Sequence, residues 1–372
     1  MPNTNIITMD GLFTGRCNMD CKYCFEEKKL KIDMDFDKLK TYLYSNPCFT
    51  FFPFGGEPLL NLDFNIKLAK LSDELVSLQG EECGSNVGVR YIITNGTLIK
   101  HNIDKIKENG FTLQISLDGC KPAHNINRTY ANGKGTWNDV VEGIILTAKN
   151  NIPFKLHGVC GKNNIKYIFR SSKFYFRLNL WFLGKEKAIE KLGDKIIFFM
   201  FEQNWNDNDV NIVIEQFYKF AKWIFKLDSK VFSIYDKKEA FKRFFCREIM
   251  KTCSCGFNLR AIDPDFNIYP CHRFVMIKDK EKYSCGNLFD IKSTKNFELY
   301  NSLFKMKTKQ RLYATNNIEA GTEESKWFYW CPATNLETSG NPQYQNDKYN
   351  RFITEIKRAV KEMEELFIDN RR

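Results

Sequence analysis

Residues 17–25 read CNMDCKYCF, and the placing of Cys17, Cys21 and Cys24 within them governs how the rest of the chain is understood. Three thiols on one short loop are one fewer than a closed structural zinc site takes. A four-iron, four-sulfide cube has four corners, and such clusters prefer thiolate ligands. Three cysteines hold three irons and leave the fourth open to a small molecule, as catalytic metal sites keep one position open. A zinc loop that borrows a distant fourth ligand has the same spacing, so spacing alone leaves both readings standing.

The whole chain frames that loop. Its 372 residues suggest about two domains, and 43% hydrophobic with 27% charged residues is an ordinary globular balance. No stretch approaches the ~20 apolar residues of a membrane span. The start, MPNTNIITMDGLF, lacks a basic segment followed by a long apolar run, so no signal peptide is expected and the cytoplasm is the expected compartment. Thirteen cysteines are too sparse for a disulfide scaffold, and in a reducing compartment they point to metal or catalytic thiolates. They gather at Cys17, Cys21 and Cys24 and again at Cys246, Cys253, Cys255 and Cys271. Cys48, Cys83, Cys120 and Cys160 stand alone, as small buried hydrophobes do. The net charge of +11 is scattered without a long basic run, which suits a solvated surface better than a nucleic-acid footprint.

Outward from the loop, short apolar runs alternate with helical patterns. The strands expected are Ile6–Phe13, Phe49–Phe54, Val87–Thr94, Thr112–Leu117, Phe154–Cys160 and Lys195–Met200. Between them, stretches such as DFNIKLAKLSDELVSL and DVVEGIILTAKNN repeat apolar residues near the helical period. Strand-then-helix repetition predicts parallel strands with crossover helices. Six units predict an α/β partial (βα)6 barrel over residues 1–230. Residues 231–345 change character to a small cysteine-rich α+β module, with DPDFNIYPCHRF as a tight hairpin. Residues 346–372 read as an amphipathic helix. The segment Phe169–Phe182 fits neither period.

Three further motifs follow successive expected strands: FGGEP after the second, TNGT after the third and SLDG after the fourth. Each is a common turn by itself. Together they ring one mouth of one barrel, beside the loop that carries Cys17. With CNMDCKYC, they resemble the radical S-adenosylmethionine (radical SAM) superfamily over roughly Ile6 to Met200.

That resemblance implies a [4Fe–4S] cluster on Cys17, Cys21 and Cys24, whose open iron chelates the methionine part of SAM. It implies Tyr23 against the adenine, and Gly55, Gly56 and Glu57 at the methionine amino group. Thr94 and Asn95 are expected to shape the pocket, and Ser116 and Asp118 to reach the ribose. Arg128 matches an arginine that pairs the SAM carboxylate, a task suited to a guanidinium. Val159 is expected either at the adenine or in simple core. An electron donor such as flavodoxin or ferredoxin is implied as a partner, with no membrane and no nucleic acid.

The second cysteine region, TCSCGFNLRAIDPDFNIYPCHRF, resembles the start of a SPASM domain, the tail of many peptide-modifying radical SAM enzymes. Phe266 stands where that pattern has glycine, which removes an easy positive φ. The remaining run of cysteines is missing, so at most one auxiliary cluster is expected, from a subset of Cys246, Cys253, Cys255, Cys271 and Cys331. Cys285 is expected in core. His272 occupies the place of an aspartate base in sulfatase-maturing relatives, and a histidine there could also move a proton near neutral pH.

The function expected is modification of a peptide or protein: a thioether, a carbon–carbon cross-link or an inverted stereocentre in a ribosomally made peptide. Formylglycine formation in a sulfatase and oxidation of a small molecule are the alternatives. A non-enzymatic Fe–S or zinc protein would not need the SAM motifs.

Overall fold

The structure, a computed structural model, describes residues 7–24, 26, 31–45, 49–79, 89–191, 196–199, 205–245, 259–275, 277, 279–290 and 347–369. Six parallel strands carry the first half: β1 (Ile7–Leu12), β2 (Phe49–Phe54), β3 (Tyr91–Thr94), β4 (Thr112–Ser116), β5 (Phe154–Cys160) and β6 (Ile196–Phe199). The bounds of β2 and β5 coincide with the apolar runs in the sequence. Ile6, Val87, Lys195 and Met200, read as strand ends, lie outside the described residues.

Between the strands run α1 (Phe36–Ser45), α2 (Leu62–Gln79), α3 (Ile99–Glu108), α4 (Lys121–Asn125), α5 (Trp137–Lys149) and α6 (Ile168–Lys191). β1 pairs with β2, and β3 through β6 pair in order, every pair parallel. The two sheets meet where β2 lies beside β3, with the Phe52 and Tyr91 rings edge to face at 6.3 Å. Along β4, Leu113 and Ile115 are buried while Thr112, Gln114 and Ser116 are half-buried. The buried set packs with Ile99 and Ile106 of α3 and Val140 and Ile144 of α5. The helices therefore cover one face of the sheet, and Ser116 turns to the other. This is the α/β partial barrel expected.

The segment that fitted no period, Phe169–Phe182, is the body of α6. Its buried stripe is Ile168, Ser171, Ser172, Tyr175, Phe176 and Asn179, a helical spacing hidden by small polar residues at inward positions. Ser171 is small for a reason. A Cβ added at Gly119 (φ +105°) would lie 2.2 Å from Ser171 Oγ, so both positions must be small for helix and strand end to meet.

Helices α7 (Asp207–Phe225) and α8 (Ile234–Phe245) follow. Asn206 and Asp209 form a reciprocal capping box at the start of α7. The terminal amphipathic stretch is α10 (Asp347–Asp369; α9 is given below). Its Phe352, Ile356, Ala359, Val360 and Met363 join Val213, Phe217, Phe220 and Ile224 of α7 in one apolar cluster. Phe352 stacks on Trp205 at 4.3 Å.

The expected hairpin forms from β7 (Leu259–Ile262) and β8 (Asn267–Tyr269), followed by the short α9 (His272–Val275) and β9 (Gly286–Asn287). β7 pairs in parallel with β1, giving the order β2-β1-β7-β8-β9. The hairpin thus extends the sheet of the barrel. Residues 291–346, most of the rest of the expected cysteine-rich module, lie outside the described residues.

At the hairpin turn Phe266 has φ +66°, the conformation a glycine would adopt without strain. Phe266 is buried, and its ring meets Phe289 edge to face at 5.0 Å. Asp263 Oδ1 accepts the backbone N–H of both Asp265 and Asn267, at 3.1 and 2.9 Å, and fixes the turn. Aromatic burial here outweighs backbone strain. Phe266→Ala is expected to cost about 3–5 kcal/mol, because the ring is lost and the strain remains. Phe266→Gly should cost about 1 kcal/mol less, because the strain goes too. Urea denaturation of both variants checks that order of stability.

Candidate functional site

The thiol loop leaves β1 at Leu12 and is fastened on two sides. On one side, Gly15 N donates to Ile32 O and Met34 N to Phe13 O, and Arg16 pairs with Asp33 at 2.7 Å. On the other, Asp20 N donates to Thr129 O at 2.8 Å and Lys22 N to Asn127 O at 2.9 Å. Cys17, Cys21 and Cys24 are half-buried and outside any disulfide. Among the described residues no three His, Cys, Asp or Glu side chains converge closely enough to hold a single metal ion.

The FGGEP segment explains itself through packing. A Cβ on Gly56 (φ +37°) would lie 2.1 Å from Arg16 O, so only glycine lets the thiol loop lie this close to the end of β2. Gly56 N donates to Glu26 Oε1 at 3.1 Å, and Glu57 N to Arg16 O at 2.7 Å. Glu26 is buried two residues after Cys24, a role that nothing in its local sequence signals.

Glu57 is 0% exposed. Its Oε1 accepts from Thr94 Oγ1 at 2.7 Å and Leu59 N at 3.0 Å, and its Oε2 accepts from Asn95 N at 2.7 Å. Burial pushes its carboxyl up to about 7, against these three donors, which favour the anion. The Glu57 side chain and Thr94 thus join the ends of β2 and β3. Asn95 donates to Asn18 Oδ1 at 2.9 Å, and Asn18 donates to Thr97 Oγ1 at 2.9 Å. Asn18, between the first two cysteines, is a further residue that motif reading passed over.

Around the end of β4 the third group assembles. Asp118 Oδ2 accepts from Tyr23 Oη at 2.5 Å, and Oδ1 accepts from Arg128 Nε at 3.1 Å and Val159 N at 2.9 Å. The Arg128 guanidinium carbon lies 5.3 Å from the centroid of the Tyr23 ring. Asp118 is 2% exposed and Arg128 7%. Burial works against the charge of Arg128, and the Asp118 carboxylate outweighs it and raises its pKa. Both oxygens of Asp118, the residue expected at the ribose, thus accept protein donors inside the core. Ser116, half-buried at the end of β4, is placed opposite His157 of β5.

His124 is fully buried beneath this group. Its Nδ1 accepts from Asp118 N at 3.3 Å, and its Nε2 lies 2.9 Å from Thr136 Oγ1, which donates to Arg128 O. Burial first, then Arg128, lowers the pKa of His124 well below the usual histidine value. The same causes take His157 down to about 4. Both are neutral when folded, whereas the unfolded chain binds protons near 6.5. The stability this provides is complete above pH 6.5 and is lost as pH falls toward about 4. His124→Asn, which keeps an acceptor for Asp118 N and removes one of the two groups, should flatten that acid limb in chemical denaturation at stepped pH.

His272, at the start of α9, places Nδ1 2.7 Å from Asp10 Oδ2 of β1 and packs its ring against Phe54 at 4.8 Å. Partial burial opposes its charge, but Asp10 outweighs that and lifts it to about 9. At neutral pH His272 is therefore an imidazolium beside the Asp10 carboxylate. The neighbouring Cys271 is buried in the apolar cluster with Phe274 and Ile268, as is Cys285. Cys246, Cys253, Cys255 and Cys331 lie outside the described residues.

Comparison with known proteins bears on this site directly. Residues 12–168, from the end of β1 to the start of α6, match the model of the Radical SAM superfamily. Those residues are a radical SAM domain. An uncharacterized protein of Methanocaldococcus jannaschii is 35% identical over 43% of this chain, a match that spans only 55% of that relative's length. A cysteine-type anaerobic sulfatase-maturating enzyme of Clostridium novyi is 27% identical over 76% of this chain and 79% of its own. One of Clostridium perfringens strain 13 is 25% identical over 85% and 84%. The solved structure of native anSMEcpe with bound AdoMet and the Cp18Cys peptide superposes with a TM-score of 0.62 at 19% identity, covering 98% of this chain and 99% of that one, and shares the fold.

The chain is thus an enzyme whose cofactors are a [4Fe–4S] cluster and SAM. The residues present fit both groups. Three thiols on one short loop suit iron and sulfide rather than a hard cation. The glycine-stripped backbone at residues 55–56 and the guanidinium of Arg128 lie on segments hydrogen-bonded to the same thiol loop. No helix among the described residues is long and apolar enough to cross a membrane.

Proposed function

We propose that this radical SAM enzyme modifies a peptide or protein side chain by taking a hydrogen atom from it. The observation that carries the reading is the thiol loop, bound by direct hydrogen bonds to the segments after β2, β3 and β4. Cys17, Cys21 and Cys24 would hold the cluster. The backbone of Gly55, Gly56 and Glu57, with Arg128, would hold the methionine end of SAM. Tyr23, Ser116 and Val159 would lie along the nucleoside. When bound, the cluster and SAM would supply the one-electron chemistry that removes a hydrogen atom from the substrate.

The protein's part is to bind, orient and exclude water. Tyr23 and Arg128 are held rigid by Asp118, which fixes where a carboxylate can dock. His272 and Asp10 hold one proton between them beside Phe54, within the sheet that carries the thiol loop. A shared proton there would serve a step that follows hydrogen abstraction. Cys271, with Cys253, Cys255 and Cys331, remains the proposed source of an auxiliary cluster.

Peptide substrates are supported by relatives named as sulfatase-maturating over 79–84% of their length, and by a structural neighbour with a bound peptide. Formylglycine formation is one form of this reading. Cross-linking or epimerisation of a ribosomal peptide is the other, favoured by His272 standing where those relatives are expected to carry aspartate. Anaerobic incubation with a cysteine-bearing sulfatase peptide, and separately with short peptides encoded beside the gene, tests the proposal by mass spectrometry. A mass change matched by 5′-deoxyadenosine supports it. SAM cleavage that leaves every peptide's mass unchanged contradicts it.

A further inference from the structure

We propose that Asp118 is a positioning residue that aims Tyr23 and Arg128 at SAM and does not itself touch the ribose. This rests on the radical SAM reading and assigns a division of labour within it. Three donors from three parts of the chain converge on one carboxylate: Tyr23 Oη from the thiol loop, Arg128 Nε from the segment after α4, and Val159 N from β5. With 2% of the residue exposed, no face of it is left for a ligand. Tyr23, Asp118 and Arg128 close a triangle, because the guanidinium also lies over the Tyr23 ring at 5.3 Å.

The backbones are braced as well. Asp118 N donates to His124, His124 bonds Thr136, and Thr136 donates to Arg128 O. Two residues are thereby left to meet the cofactor. The ion pair with Asp118 uses Arg128 Nε, and among the described residues its Nη end has no acceptor. That end is suited to a bidentate grip on a carboxylate. Tyr23 immediately precedes Cys24, so the triangle also links a cluster-ligand segment to the arginine. Removing the Asp118 charge should loosen both arms together, because a buried guanidinium without its anion seeks another acceptor.

The test uses the anaerobically reconstituted enzyme and Asp118→Asn, which fills the same space without the charge. Iron content, SAM affinity by equilibrium dialysis, and affinity for the 2′-deoxy and 3′-deoxy analogues of SAM are measured. The expected result is wild-type iron, SAM affinity reduced at least about tenfold, and the same ratio for both analogues. A ratio that collapses toward one with either analogue shows that Asp118 binds the ribose and overturns the proposal. So does unchanged SAM affinity with only a lower melting temperature. Should Asp118→Asn fail to fold, Tyr23→Phe removes one arm of the triangle and keeps the ring. Weaker SAM binding at normal iron content then supports the proposal, and unaltered binding overturns it. Wild-type enzyme that binds no SAM sinks the parent reading, whereas normal wild-type binding with an indifferent variant sinks this inference alone.

Discussion

Cys21→Ala is expected to abolish SAM cleavage, lowering 5′-deoxyadenosine formation by at least about a thousandfold, while the metal-free protein melts within a degree or two of wild type. The reasoning starts from how the loop is held. The residues on either side of Cys21 are fixed by backbone bonds, Asp20 N to Thr129 O and Lys22 N to Asn127 O. Those bonds do not need the thiol, which is half-buried and packs no core. Removing it takes one corner from a three-cornered ligand set and leaves the loop in place. A cluster held by two thiolates has a second open iron and is readily lost. Anaerobic reconstitution, iron analysis and product chromatography check the result. Cleavage at more than about a tenth of the wild-type rate would show that Cys21 is not a ligand.

Glu57→Ala should be the most destabilising single change at the barrel mouth. β2 and β3 belong to separate sheets and share no ladder of backbone bonds. The Glu57 carboxylate substitutes for one, bonding Thr94, Asn95 N and Leu59 N in a fully buried place. Truncation leaves three buried donors without an acceptor, each costing about 1–3 kcal/mol, for a total of roughly 3–9. That is a large part of the 5–15 kcal/mol typical of a folded domain. Glu57→Gln keeps the shape and should lose far less. It should also change the pH dependence. The folded carboxyl titrates near 7 against an ordinary 4.5, so its contribution is full below 4.5 and lost as pH rises through 7. The glutamine variant should lack that slope. Urea midpoints for the two variants between pH 5 and 8 decide the matter. Equal losses in both would show that the carboxylate's bonds do not join the strands.

Much of this architecture was legible in the chain. β2 and β5 announced themselves because FTFFPF and FKLHGVC are dense in residues that suit a pleated, buried surface. The thiol loop and the motifs after β2, β3 and β4 were legible because cluster and cofactor chemistry tolerates few residue types. α6 was not, since Ser171, Ser172 and Asn179 stand at inward positions where periodicity expects apolar side chains. Phe266 was recognised as a departure from glycine, but its accommodation depends on Phe289, twenty-three residues away. The hydrogen bonds that Asp118 and Glu57 make to other parts of the chain were not legible, for one reason. A motif names residues near a cofactor without saying which touch it and which hold those that do. Asn18, Glu26 and Asp10 are found only when distant strands are brought together, as the Asp10–His272 bond across the β1–β7 sheet illustrates.

The central claim is that a cluster held by Cys17, Cys21 and Cys24 keeps one iron open for SAM. Electron paramagnetic resonance of the dithionite-reduced, anaerobically reconstituted enzyme, recorded before and after SAM is added, tests it most directly. A cluster spectrum that shifts in g-values on SAM addition, and fails to appear in Cys17→Ala/Cys21→Ala/Cys24→Ala, is the predicted result. A spectrum that SAM leaves unaltered would contradict the account.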